Sequence, residues 1–267
     1  MDAIPLLIAN AVIIAGCFLL LWAICLKGKD VTPVDSFWAF GMVVMALSSF
    51  VLADGLPDRK LLLLGLCAAW GLRLGSYMLW RWRQHGTDRR YAALLGKAEA
   101  NRGWSFAKAS GLLVFATQAP MLFVVSLPVQ LGMVADRPPL GTLAWLGAGV
   151  AIFGILFETI GDAQLVAFKR NPANSGKVIQ SGLWRYTRHP NYFGDACAWW
   201  GMFLVAAETG PGLWSIVGPI LLTWTLARWS GAPTVERKMQ KTKPEYADYM
   251  ARTSGFFPLP PKRAAAR

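Results

Sequence analysis

Seven apolar runs, each close to the length that crosses a bilayer, constrain this chain more than any other feature. They fall at 5–26, 34–53, 61–80, 109–131, 140–166, 192–207 and 212–229. A helix of about 20 apolar residues spans the hydrocarbon core, and in hydrocarbon only helices and closed barrels satisfy every backbone polar group. The pattern predicts an all-α, polytopic membrane protein with about seven transmembrane helices. The run 192–207 is the shortest. It spans if its Asn191 end sits among the headgroups, and a re-entrant segment is the alternative. Charge agrees with this class: 16% of residues are charged, against about 25% in soluble domains. Residues 1–5 lack a basic leader region, so the first run reads as a retained span.

Arginine and lysine set the orientation. The segments 27–33, 81–108, 167–191 and 228–267 hold 2, 7, 5 and 9 of them, whereas 54–60 and 131–139 hold 2 and 1. The positive-inside rule then puts the N-terminus outside and the C-terminus in the cytoplasm. The net charge of +12 follows from that topology and from attraction to anionic lipids. Nucleic-acid binding is excluded as a function class, because the basic residues are divided among four segments and form no known module. Cys17, Cys25, Cys67 and Cys197 all lie in spans, and none forms a CxxC pair. With only two histidines in the chain, a metal site built from Cys and His is not expected. The domain plan is a single transmembrane domain over 1–261 and a disordered basic tail over 262–267.

Several polar residues sit where lipid would penalise them. Asp35 opens the second span, either as a helix-dipole partner or as a wall of a cavity. Arg73 and Tyr77 are four apart on the third span, so they share a face; snorkelling is the other reading of Arg73. The loop 81–108 carries Asp88-Arg89-Arg90-Tyr91, which an internal salt bridge would explain, and is rich enough in arginine to hold an anionic lipid or a phosphate. Glu158 and Asp162 share a face near the end of the fifth span. The stretch 182–201, GLWRYTRHPNYFGDACAWWG, sets Arg185, Tyr186, Arg188, His189, Asn191 and Tyr192 before a span that contains Asp195. Arg228 ends the last span. With the predicted orientation, these groups come from five spans to one cytoplasmic depth. That predicts a cavity open to the cytoplasm, suited to a charged soluble cofactor, with an apolar substrate entering from the bilayer. In the tail, Met239, Tyr246, Tyr249 and Met250 have helical spacing and predict amphipathic segments on the cytoplasmic face. No GxGxxG follows a strand and no P-loop is present, so a dinucleotide would not be held by a Rossmann unit.

RYTRHPNYFGD at 185–195, followed by WWG at 199–201, resembles the steroid 5-alpha-reductase-like superfamily, which includes the sterol C14 and C24 reductases and bacterial relatives. TDRRY at 87–91 and EYADYMARTSGFFPLPPK at 245–262 extend the resemblance to the bacterial branch. The resemblance implies an NADPH-dependent reduction of a carbon–carbon double bond conjugated to a carbonyl, in a steroid-like or other lipid drawn from the bilayer of a bacterial inner membrane. By the same resemblance, Asn191 and Asp195 hold the nicotinamide carboxamide, and Glu158 and Asp162 contact the adenosine and ribose part. Lys169 and Arg228 meet phosphates. Arg185, Tyr186, Arg188, His189 and Tyr192 belong to the motif and are the further cofactor-binding candidates that the resemblance implies. On the substrate side, the second span lacks the Gln-Glu pair of the eukaryotic steroid reductases. Tyr77, helped by Arg73, is the candidate donor to the enolate oxygen, and Asp35 is the nearby acid.

The same RHP-x-Y block resembles the isoprenylcysteine carboxyl methyltransferases, which use S-adenosylmethionine. His189, Pro190, Glu236 and Tyr246 have counterparts there. Asp195 separates the two readings, because those methyltransferases lack an acid at that place. A non-catalytic protein that binds a lipid or a subunit through its basic loops is a third reading.

Overall fold

Among the described residues, every regular element is a helix. The computed structural model describes residues 1–262, so the tail predicted to be disordered lies outside the described residues from 263 onward. In chain order the α-helices are α1 (Ala3–Gly28), α2 (Pro33–Leu52), α3 (Pro57–His85), α4 (Arg89–Arg102), α5 (Phe106–Ser110), α6 (Ala116–Val125), α7 (Leu127–Leu131), α8 (Thr142–Arg170), α9 (Pro190–Ala207), α10 (Gly210–Leu213), α11 (Val217–Trp224), α12 (Ala232–Thr242) and α13 (Tyr246–Arg252). A π-helical stretch, Gly111–Phe115, joins α5 to α6, and a second, Thr225–Trp229, follows α11. Among the described residues the nearest thing to a sheet is a single isolated bridge, Thr187 to Ser254.

Among the described residues, six helical runs are long and apolar enough to cross a membrane: Ala3–Gly28, Pro33–Leu52, Pro57–His85, Phe106–Val125, Thr142–Arg170 and Gly210–Thr242. The seventh predicted run is helical as α9 but is not among them, since Asn191, Asp195, Gly194 and Gly201 lower its hydropathy. The helices wear their apolar residues outward. On α1, Ile4, Ile8, Val12, Leu19, Leu20 and Ile24 are exposed, while Leu6, Asn10, Ile14, Phe18 and Cys25 form the buried stripe. Apolar faces this continuous need lipid rather than water as their solvent. The protein is an integral, multi-pass membrane protein.

The chain packs as two compact units, one of residues 1–145 with 202–218 and the other of 146–201 with 219 onward. In the first unit, α2 and α3 form a tight hairpin. A Cβ on Gly71 would lie 2.5 Å from Val43 and 2.8 Å from the Ala39 carbonyl, and one on Gly75 would lie 2.5 Å from the Phe40 ring. Small residues four apart are the usual device for bringing membrane helices this close. A buried polar cluster ties α1 to this hairpin. Asn10 donates to Ser49 Oγ at 2.9 Å and to Gln130 Oε1 at 3.0 Å, and accepts from Ser48 Oγ at 2.6 Å. Span one is therefore more than the lipid-facing scaffold its lack of charge suggests. At one end of the unit, buried Arg59 donates to Glu208 at 2.7 Å and to the Pro138 carbonyl at 2.9 Å. Glu208 also accepts from the Gly141 and Ala144 amides, both at 2.9 Å, which caps the start of α8. Burial alone would raise the Glu208 carboxyl; those two amides and the Arg59 guanidinium outweigh it and hold the group below its usual value.

The second unit is built on an antiparallel seam between α8 and α9. A Cβ on Gly194 would stand 2.6 Å from the Glu158 amide and 2.7 Å from the Gly154 carbonyl, and one on Gly201 would stand 2.5 Å from the Gly147 carbonyl. Further along, a Cβ on Gly161 would stand 3.2 Å from the Pro190 ring. Backbone therefore meets backbone over most of the seam. The segment 171–189 and the tail fold onto each other. Val178, Tyr246 and Tyr249 form a small core with Met239 and Met250 packed against it. The tail's periodic apolar residues thus find a partner within the protein.

Candidate functional site

The seam fixes the height of four polar side chains. Glu158 is level with Gly194, and Gly161 is level with Pro190 and Asn191. Asp162 and Asp195 follow one residue on, so Glu158, Asp162, Asn191 and Asp195 gather at one end of the α8–α9 pair, as the sequence predicted. The three carboxylates are 3%, 6% and 7% exposed for Glu158, Asp162 and Asp195. Asn191 Oδ1 is buried and accepts no hydrogen bond among the described residues. A buried acceptor left unsatisfied costs about 1–3 kcal/mol. Such a group persists in a rigid site when another task keeps it there. What it lacks is a donor.

His189 closes the other side of this helix start. It is buried, stacks on the Tyr192 ring at 5.2 Å between centroids and 8° between planes, and places Nε2 3.0 Å from Glu236 Oε1. The same carboxylate oxygen accepts from Arg188 Nε at 2.8 Å. Arg188 Nη1 then donates to the Met250 and Thr253 carbonyls at 3.2 and 2.5 Å, which serves the free carbonyls at the end of α13. The tail runs beside the motif: Arg188 donates its amide to the Ser254 carbonyl at 2.9 Å, Thr187 Oγ1 donates to the Phe256 carbonyl at 2.9 Å, and Leu259 donates to the Tyr186 carbonyl at 3.0 Å. Tyr249 OH donates to the Trp184 carbonyl at 2.5 Å, and Trp184 Nε1 to the Gly161 carbonyl at 3.0 Å. Burial pushes the Tyr246 phenol up to about 12, with the Glu236 charge adding to it. Arg188 and His189 are thus fastened within the protein, with Glu236 as their shared anchor. Glu236 was not among the predicted cofactor contacts; the only sign of it was its place in the methyltransferase comparison.

Elsewhere in this unit, Lys169, Arg185, Tyr186 and Arg228 are exposed. Arg228 lies in the π-helical turn Thr225–Trp229, and Thr225 Oγ1 in that turn is buried with no hydrogen-bond partner. π-turns inside α-helices are frequent at functional sites. No feature of the sequence marked Thr225.

In the first unit, the Asp35 carboxylate accepts from Tyr91 OH at 2.6 Å and Arg90 Nη2 at 3.0 Å, with Arg81 at 3.9 Å. Gln118 donates to Tyr91 OH at 3.1 Å. Asp88 caps α4 by accepting from the Arg90 amide at 2.8 Å, and also holds the Arg90 side chain. Burial would raise the Asp88 carboxyl, but the Arg90 donors and charge hold it below its usual range. Asp35 therefore fastens α4 to α2 and, through Tyr91 and Gln118, to α6. These contacts give Asp35 a structural task. The salt bridge expected inside Asp88–Tyr91 is present. Arg73 and Tyr77 are half-buried on one face of α3, and Tyr77 stacks on Trp80 at 6.0 Å.

Comparison with known proteins adds the following. The chain is 22% identical over 271 residues to an uncharacterized protein of Schizosaccharomyces pombe, an alignment that covers 89% of this chain and 75% of that one. No solved structure matches it. A family model described as a protein of unknown function, DUF1295, matches residues 21–253, which takes in the α8–α9 seam, the 185–195 motif and Glu236. The chain belongs to the DUF1295 family.

Proposed function

We propose that this protein is a membrane-embedded, NADPH-dependent reductase of a carbon–carbon double bond conjugated to a carbonyl, in a steroid-like or other apolar lipid. On this reading it sits in a bacterial inner membrane with its cofactor site open to the cytoplasm. One observation carries the reading: buried Asn191 Oδ1 has no donor among the described residues, one helical turn before buried Asp195 and level with Gly161, within a turn of Glu158 and Asp162 along α8. A nicotinamide carboxamide and ribose hydroxyls offer donors, and this end of the seam offers acceptors, so the residues fit the group. When bound, NADPH supplies the hydride.

The protein's own part is to hold and to position. Asn191 and Asp195 would accept from the carboxamide and so fix which face of the ring meets the substrate. Glu158 and Asp162 would accept from the ribose. The glycine seam keeps all four on rigid backbone, the kind of support a precise site requires. The Glu236–His189–Arg188 anchor fixes the start of α9, and with it Asn191. The resemblance assigns Lys169 and Arg228 to phosphates, and assigns Tyr77 with Arg73 to the substrate oxygen.

A second reading has an observation of its own. His189, Glu236 and Tyr246, counterparts of methyltransferase residues, gather around Arg188. On that reading the cofactor is S-adenosylmethionine and the reaction a methyl transfer to a lipid. Titrating the detergent-purified protein with NADPH, NADH and S-adenosylmethionine separates the two. NADPH is expected to bind and S-adenosylmethionine is not. The reverse result would overturn the reductase.

A further inference from the structure

Segment 180–185 and the end of the tail form a concave surface in the same unit. It is a recess of about 550 Å³, lined by Gln180, Ser181, Gly182, Arg185, Arg252, Thr253, Pro261 and Lys262. Three of these side chains are cationic and none is acidic. Arg252 is pre-set: Nη2 donates to Gln180 Oε1 at 3.2 Å and to Asp248 at 2.6 Å, while its buried Nε has no partner. Arg185 is exposed and forms no ion pair among the described residues. The Ser181 hydroxyl does not cap the turn that follows it. The floor is firm. Gly182 has φ +60, and a side chain there would strike Gln164, whose Oε1 holds the Leu183 amide at 3.0 Å. The Lys262 amide donates to the Arg252 carbonyl at 2.9 Å, which holds the rim. The recess therefore sets three cations over a firm floor, and among the described residues Asp248 pairs with Arg252 alone, which leaves a positive field.

Its neighbours say which anion it suits. Tyr186, Phe257 and Leu259 are exposed, and the bond from Leu259 to Tyr186 puts this apolar patch beside Arg185. The recess is also formed by the segment that joins α8 to α9 and packs on Gln164, within two turns of the end of α8, near the level at which membrane helices leave the hydrocarbon. Aromatic and aliphatic side chains next to clustered cations at that level suit a group that is apolar below and anionic above.

We propose that this recess binds a phosphate group, presented by the headgroup of an anionic phospholipid, with Arg185, Arg252 and Lys262 as its ligands and Tyr186, Phe257 and Leu259 against the lipid. The site shares Arg185 and Tyr186 with the 185–195 motif but includes none of Asn191, Asp195, Glu158 and Asp162, and it does not rest on the reductase reading.

The test uses the full-length protein, delipidated in detergent, and two probes. One is phosphatidylglycerol, scored against phosphatidylcholine by native mass spectrometry. The other is inorganic phosphate, scored by thermal shift. Arg185→Gln with Lys262→Gln removes two cations from the recess; Lys238→Gln with Lys241→Gln removes two from the exposed helix α12 as a matched control. The recess variant is expected to lose phosphatidylglycerol binding roughly twentyfold, since each cation near an anionic surface contributes about fivefold. The control is expected to keep it. If inorganic phosphate alone stabilises the wild type and not the recess variant, the phosphate site stands and its source is a soluble phosphate. If the recess variant and the control behave alike with both probes, the proposal is wrong.

Discussion

Gly194→Ala is expected to lower the melting temperature of the purified protein by roughly 5–10 °C, and Gly194→Leu to prevent a monodisperse protein from forming. The added Cβ would stand 2.6 Å from the Glu158 amide and 2.7 Å from the Gly154 carbonyl. Both obstacles are backbone, so no rotamer change relieves them and the two helices must part. Overpacking of this kind costs about 1–3 kcal/mol or more, and each kilocalorie shifts the midpoint of a protein near this size by about 2–4 °C. Gly149→Ala, on the same helix α8, is the control. A Cβ there meets nothing within 4 Å, and that variant is expected to melt with the wild type. Equal melting of Gly194→Ala and Gly149→Ala would mean that the α8–α9 seam is not packed as described. The acids and Asn191 would then have no fixed common level.

The second large effect is expected at Glu236. One of its oxygens receives both His189 Nε2 and Arg188 Nε. Glu236→Ala leaves a buried imidazole and a mostly buried guanidinium with no carboxylate between them. Breaking a buried pair by removing one partner costs on the order of 3 kcal/mol. Arg188 also holds the carbonyls at the end of α13, so the loss is expected to spread into the tail. Limited proteolysis near residues 243–245, where α12 and α13 are separated, reads this directly. Cleavage is expected to be at least tenfold faster in Glu236→Ala. Asp248→Asn, which removes an exposed carboxylate on the same tail, is expected to leave the rate near wild type. A tail equally protected in all three proteins would show that Glu236 does not anchor it.

The helices and their lengths were legible because hydropathy over a span is a local signal. The gathering of Glu158, Asp162, Asn191 and Asp195 was legible for a related reason: topology alone brings adjacent antiparallel spans back to one depth. The seam that sets their register could also have been read. Gly147, Gly154 and Gly161 recur every seven residues along one face of α8. Other features depend on distance along the chain. Arg59 finds Glu208 across 149 residues, and nothing near either residue announces the other. Asn10 was passed over because one amide hardly alters the hydropathy of a long apolar run, yet it joins α1 to Ser49 and Gln130. The tail's hold on the 185–189 segment joins two backbone bonds to side-chain donors that meet backbone carbonyls far along the chain, which side-chain patterns do not encode. Asp35 looked equally suited to a cavity wall and to a structural role; its partners Arg90 and Tyr91 come from α4, whose packing no local pattern specified.

Asn191→Leu tests the account's central claim most directly, because a structural and a functional role predict opposite outcomes. Leucine is close to asparagine in shape and removes the buried acceptor that has no partner. Folding stability is therefore expected to stay level or rise. Calorimetric titration with NADPH is expected to show binding weakened roughly tenfold, the worth of about one hydrogen bond lost together with its geometry. A Leu variant as stable as the wild type that binds NADPH less well supports the cofactor site at the α8–α9 seam. A folded wild type that does not bind NADPH, or an Asn191→Leu protein that binds it equally well, would contradict it.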